Sequence, residues 1–200
     1  METALVEKKR RLAALAVRAQ SAGDDAAVLA WWRELAGMVL ALAARARGIQ
    51  FKVAGRWFVA VPPDSSCHGL ARAYSVVCGA PMMKSGRATL AEMSELRSEG
   101  DPVVDATRLL ARAALAMENG RPVSAGQVTE DLLECVSSIA AEFESSSPRP
   151  PPQLADGDPG VEMASWVIGD EPSIPRPGEE VGDALAHCEE LAHQRLGPGA

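Results

Sequence analysis

The amino-acid sequence predicts a mainly α protein: a compact domain of about six helices with one β-hairpin inserted after the second, followed by an acidic tail. Three observations carry this. The 200-residue chain is 47% hydrophobic but only 4% aromatic, and much of its apolar content is Ala, the best helix former and a poor strand residue. Apolar residues recur at helical spacing through most of the first 145 positions, and only Gly48 to Pro63 breaks the pattern. From Ser145 onward Pro, Gly and acidic residues take over. The expected units are a helical domain over 1–147 and a disordered acidic tail over 148–200.

Thr3 to about Ser21 reads as the first helix, with Leu5, Leu12, Leu15 and Ala19 near one face and Lys8, Lys9, Arg10 and Arg11 wrapping the rest. Gly23 ends it. Asp24 or Asp25 then caps a second helix, where Val28, Trp32, Leu35, Val39 and Leu42 recur at spacings of 4, 3, 4 and 3. Such a seam is either the core of a bundle or an intermolecular contact. Trp31 points roughly 100° away from Trp32 around the helix, so the seam takes one of them and leaves the other for a partner.

The hairpin covers about residues 49–61. Ile49, Phe51 and Val53 alternate with Gln50 and Lys52, Ala54-Gly55 breaks the run, and Trp57 to Val61 are closed by Pro62-Pro63. Arg45, Arg47, Lys52 and Arg56 surround it, so with Trp57 the segment combines charge and stacking surface as single-strand nucleic-acid binders do. A lone hairpin is marginal in water, so its apolar face is expected to pack on the helices.

A third helix follows the Pro62-Pro63 turn and stops at Gly79. Cys67-His68 near its start is the one place for a nucleophile, because a helix N-terminus lowers a thiol's pKa; His68, adjacent on the helix, diverges from the thiol it would have to deprotonate. A fourth helix over about Arg87 to Ser98 turns Leu90, Met93 and Leu96 inward. The fifth starts at Asp101-Pro102, a cap followed by proline at the first helical position, and carries Val103, Leu110, Ala114 and Met117 to Asn119-Gly120. Ser124 and Gln127 have capping-box spacing ahead of a sixth helix with Val128, Leu132, Cys135, Val136, Ile139 and Phe143, which closes the folded part.

Two islands interrupt the tail. A short apolar cluster over 161–168 contains Met163, Trp166, Val167 and Ile168 between acidic residues, an aromatic anchor on a tether that either docks on a partner or packs back on its own domain. A terminal helix over 179–195, with Val181, Leu185, Cys188 and Leu191 on one side, is expected to form only on contact.

Charge is unevenly spread. Residues 1–63 carry 10 basic against 5 acidic side chains, and residues 151–200 carry 2 against 10. A polarity of this kind fits an anionic partner, a tail folding back, or solubility. Cys67, Cys78, Cys135 and Cys188 form no paired motif, which suggests reduced thiols in a soluble, cytoplasmic or otherwise intracellular protein. No window approaches the ~20 apolar residues that cross a bilayer, so no membrane insertion is expected. Phosphate-loop, HExxH and GxSxG signatures are absent from the sequence; Cys67, His68 and Cys78 are one ligand short of a zinc module, and no metal or cofactor is expected. Nothing here supports an enzyme over a binding protein.

Several fragments resemble the coat proteins of rod-shaped plant viruses. Trp31-Trp32, Arg47-Gly48-Ile49-Gln50-Phe51-Lys52-Val53 and Arg87-Ala88-Thr89-Leu90-Ala91-Glu92-Met93 are similar to the hordeivirus kind; Asp105-Ala106-Thr107-Arg108 and Phe143-Glu144-Ser145-Ser146-Ser147 are similar to tobamoviruses. The resemblance implies a helical-bundle subunit that polymerises around RNA with arginines on phosphate. This chain departs from that pattern at Ala54-Gly55 and Pro62-Pro63, where the family would continue a helix.

The expected function is a non-enzymatic interaction or assembly protein, its partner a protein or a second copy, contacted through the hairpin surface or by Met163, Trp166, Val167 and Ile168. Two alternatives stand beside it. One is nucleic-acid binding, including a coat-type subunit, by Lys8, Lys9, Arg10, Arg11, Arg45, Arg47, Lys52, Arg56 and Trp57, with the acidic tail competing. The other is a thiol-dependent enzyme at Cys67.

Overall fold

The second helix carries a broad apolar face, with Arg33 and Glu34 on its other side, and the other helices are arranged to cover that face. A computed structural model of the chain describes residues 2–46, 50–53, 56–61, 90–97, 100–145, 164–167 and 181–197. The helix expected before Gly79 lies outside them, as do Cys67, His68 and Cys78. The described part is mainly α: α1 Glu2–Ser21, α2 Asp25–Ala46, α3 Leu90–Ser94, α4 Pro102–Glu118, α5 Ala125–Ser145 and α6 Val181–Leu196, with short extended segments β1 Gln50–Val53, β2 Arg56–Val61 and β3 Ala164–Val167.

α1 and α2 are joined by a tight turn in which Gly23 has φ +80°, a conformation only glycine adopts cheaply. Of the two aspartates before α2, Asp24 is the cap: its Oδ1 accepts a hydrogen bond from the Ala27 backbone N–H at 3.0 Å. α2 then packs against α1, α4, α5 and α6. Val28, Trp31, Trp32, Leu35, Ala36, Val39, Leu42 and Ala43 are all fully buried. The expectation that one tryptophan faces a partner is corrected here, because the buried face of α2 is wide enough to take both. Trp32 Nε1 donates to Thr129 Oγ1 on α5 at 3.0 Å, so its polar edge is satisfied inside the core.

α4 begins as its cap residue requires. Asp101 is extended (φ −79°, ψ 117°), its side chain accepts from the Val103 N–H, and Pro102 occupies the first turn. Past the other end of the helix Gly120 takes φ +63°, and Arg121 N–H bonds the Ala116 carbonyl at 2.8 Å. The capping box expected at α5 is only half made. Gln127 N–H reaches Ser124 Oγ at a long 3.4 Å, and the Gln127 amide turns instead to Asp131 Oδ1 at 2.7 Å. Gln20 of α1 closes this turn from outside, donating from Nε2 to the Val123 carbonyl and accepting the Ala125 N–H on Oε1. Close approach of α1 is helped by Gly126, where a Cβ would sit 3.0 Å from Val17 Cγ2.

Leu90 and Met93 of α3 are buried with Ala111 and Ala114 of α4 in a small second cluster, and Leu96 packs beside it. α3 ends at Ser94, short of the expected Ser98. The Ser94 hydroxyl bonds back to the Ala91 carbonyl at 2.7 Å, and the Ser94 carbonyl is taken by Arg112 Nε at 2.8 Å, so the backbone finds partners without another helical turn.

The largest departure from expectation is α6. Assigned by composition to a tail beyond a domain ending at residue 147, it contributes Ala184, Leu185, Cys188 and Ala192 to the same core cluster as Leu12 of α1, Met38 of α2 and Ile139 of α5. The physical reason is α2 itself, whose apolar circumference is wider than α1, α4 and α5 cover. Leu185 is fully buried, so Leu185→Ala should destabilise the protein by about 2–5 kcal/mol in urea unfolding, as for other core leucines. A helix formed only on contact with a partner would leave the midpoint unchanged.

Candidate functional site

The first candidate surface is the basic face of α1, where Lys8, Lys9 and Arg11 are already partnered. Lys8 and Arg11 lie one turn apart, and the Glu189 carboxylate of α6 reaches both, at 3.2 Å from Lys8 Nζ and 3.7 Å from Arg11 Nη2. Lys9, on a different side of α1, pairs with Glu134 of α5 at 2.5 Å. Arg10 is exposed. The four adjacent cations thus diverge around the helix, and two of the directions lead to carboxylates on neighbouring helices. At the other end of α6, Arg195 Nη2 lies 2.5 Å from Glu34 Oε1 of α2.

Other expected site residues are placed by backbone alone. Arg45 is in the last turn of α2, Lys52 in β1 and Arg56 and Trp57 in β2, with Lys52 opposite Trp57 and Val53 opposite Arg56 in the strand register. Trp166 and Val167 are in β3, where Trp166 stands opposite Val59 and Val167 opposite Phe58. Arg47, Met163, Ile168 and the candidate nucleophile Cys67 lie outside the described residues.

A cleft of about 360 Å³ opens between the N-terminal half of α4 and the middle of α5, lined by residues including Asp105, Arg108, Asp131, Glu134, Cys135 and Ser138. Arg108 pairs with Asp105 at 3.1 Å. Sequence reasoning missed this cleft. Its carboxylates sit beside the apolar stripes of two consecutive helices, but only the turn over 119–124 brings them together. Glu34, Glu134, Glu189 and Arg195 were missed for the same reason, since partners 125 to 181 positions apart carry no local spacing signal.

The thiols seen here are protonated at neutral pH. Burial pushes Cys135 up from 9.0 to about 12, with the negative charges of Asp105, Asp131 and Glu134 adding to the shift. Cys188 is likewise pushed to about 12, again by burial, partly offset by Lys8. Neither is a nucleophile in that state. Among the described residues no group of three or more His, Cys, Asp or Glu side chains is arranged to hold a metal ion, and no helix is long and apolar enough to cross a membrane. The chemistry these surfaces offer is ion pairing and apolar contact.

No family model matches the chain, and no curated protein or solved structure matches it either.

A thiol whose folded pKa is raised stays protonated in the native state while the unfolded chain ionises, so the stability it contributes is present below pH 9 and is lost as pH rises from 9.0 toward 12. Cys135 and Cys188 should therefore resist iodoacetamide at neutral pH until the protein unfolds. The urea midpoint should fall through the alkaline range in the native protein, and less steeply in Cys188→Ala than in wild type. Rapid labelling of Cys188 in the native state would contradict its burial.

Proposed function

We propose that this chain is a non-enzymatic interaction and assembly protein, in which a helical domain carries a small sheet that contacts a protein partner or a second copy. One observation carries the reading. β3, from the acidic C-terminal region, pairs antiparallel with β2, so the hairpin and the Trp166 segment belong to one sheet of order β1-β2-β3. The two segments expected separately to bind a partner are then a single composite surface. Within the described residues β1 and β3 are its edges, and edge strands present unpaired backbone groups to which an extended segment can add. The finer architecture in this reading is a hairpin over about 49–61 inserted after the second helix, with a further helix before Gly79. The setting is soluble and intracellular.

The test is to dismantle the sheet without disturbing the bundle. Proline at Val59 removes a ladder donor from the central strand, and the bundle, held by helix–helix contacts, should keep its helical circular dichroism. Light scattering from micromolar to millimolar protein should show a rising mass in wild type and a single chain in Val59→Pro. Equal association of the two proteins would sink the sheet as the contact. A wild-type mass of one chain throughout would remove self-assembly from the reading.

A second reading is favoured by the Glu189 contact. One carboxylate lying between Lys8 and Arg11 stands where a backbone phosphate would, and supports nucleic-acid binding in which the acidic C-terminal region competes for the cations. Glu189→Gln should then tighten binding of single-stranded RNA at low salt several-fold, with the gain vanishing at high salt. No binding by either protein at low salt would end this reading.

A further inference from the structure

We propose that α6 is an exchangeable helix: the groove between α1, α2 and α5 that holds it also receives α6 from a second copy of this chain. The inference rests on the assembly reading above and names a contact for it. Nothing that holds α6 depends on the connection to its own chain. Its buried face is Ala184, Leu185, Cys188 and Ala192, and Cys188 Sγ donates toward Met38 Sδ of α2 at 3.5 Å. The rim of the groove is charge-complementary to the helix in a fixed order, cations Lys8 and Arg11 facing Glu189 and the anion Glu34 facing Arg195. That order sets one direction for any incoming α6, and a second copy's α6 reproduces every one of these contacts. Exchange of an identical element between protomers in this way is a low-cost route to a dimer.

Chain length permits it. Thirteen residues separate Val167 from Val181, and thirty-five separate Ser145 from Val181. At ~3.3 Å per residue the shorter span reaches roughly 40 Å, about the width of a domain of this size. The two states then differ mainly in tether entropy. The chain's own α6 wins at low concentration, and the neighbour's competes as concentration approaches the effective concentration set by the tether.

The test uses full-length wild-type protein. Equal amounts of unlabelled and ¹⁵N-labelled protein are mixed at millimolar concentration, incubated, and treated with a water-soluble carbodiimide. The reagent activates the Glu189 carboxyl, the Lys8 amine displaces it as the urea, and an amide bond records which α6 lay in which groove. After digestion, mass spectrometry should find the Lys8–Glu189 linkage in mixed-isotope form, approaching about half of all such linkages at full exchange. Dilution to micromolar before the reagent is added should return it to single-isotope form. Only single-isotope linkage after prolonged incubation overturns the proposal, and so does absence of the linkage in either form. If light scattering still shows multimers that Val59→Pro abolishes, the sheet-mediated reading survives the failure of this one.

Discussion

Burying the broad apolar face of α2 is the constraint from which the arrangement follows. Eight of its apolar residues, Val28 through Ala43, have no exposure to solvent, and four helices share the face they make. α1 and α5 take part of the surface, α4 another, and the remainder needs α6. Trp32 Nε1 finds its acceptor there in Thr129, whereas the buried Trp31 Nε1 has no partner. A net hydrogen bond of this kind contributes only about 1 kcal/mol, whereas leaving the donor unpaired costs about 1–3 kcal/mol. Thr129 therefore spares the Trp32 donor that cost.

What was legible in the sequence is what depends on neighbours along the chain. Asp101-Pro102 announces a helix start because the cap and the fixed φ of proline act within three residues. Val28, Trp32, Leu35, Val39 and Leu42 announce a buried seam because helical spacing alone puts them on one side. Trp31 was misjudged because the spacing traces a narrow seam, and the buried face of α2 is wider than that seam and takes both tryptophans. The boundary expected at residue 147 rests on composition, and α6 packs on the bundle from beyond it. The Pro-rich stretch after Ser145 is a sound sign that a regular element has ended, but it does not say whether the chain later returns to the core. Leu185 and Cys188 read as a marginal amphipathic stripe in isolation, and only the uncovered side of α2 makes them core residues.

The candidate surfaces divide in the same way. The basic run of α1 was visible as charge, and its direction was not, since Lys8 and Lys9 lead to carboxylates on different helices. The polarity from basic N-terminal to acidic C-terminal residues finds a physical expression at one interface, where Glu189 answers Lys8 and Arg11. Of the three sources of that polarity open at the outset, a C-terminal segment folding back is the one these ion pairs represent.

The strength of that return is set by apolar contact rather than by charge. Glu189 is about one-third exposed and Arg11 nearly two-thirds, and ion pairs of such exposure contribute about 0–1 kcal/mol each and are screened by salt. Burying Leu185 is worth about 1.5–3 kcal/mol, and the alanines and Cys188 add smaller increments for their smaller areas. The ion pairs thus decide where along the groove α6 sits and which way it runs, while the apolar face decides how long it stays. A helix placed by charge and held by the apolar face of Ala184, Leu185, Cys188 and Ala192 has its register and direction set by contacts that contribute little to its stability.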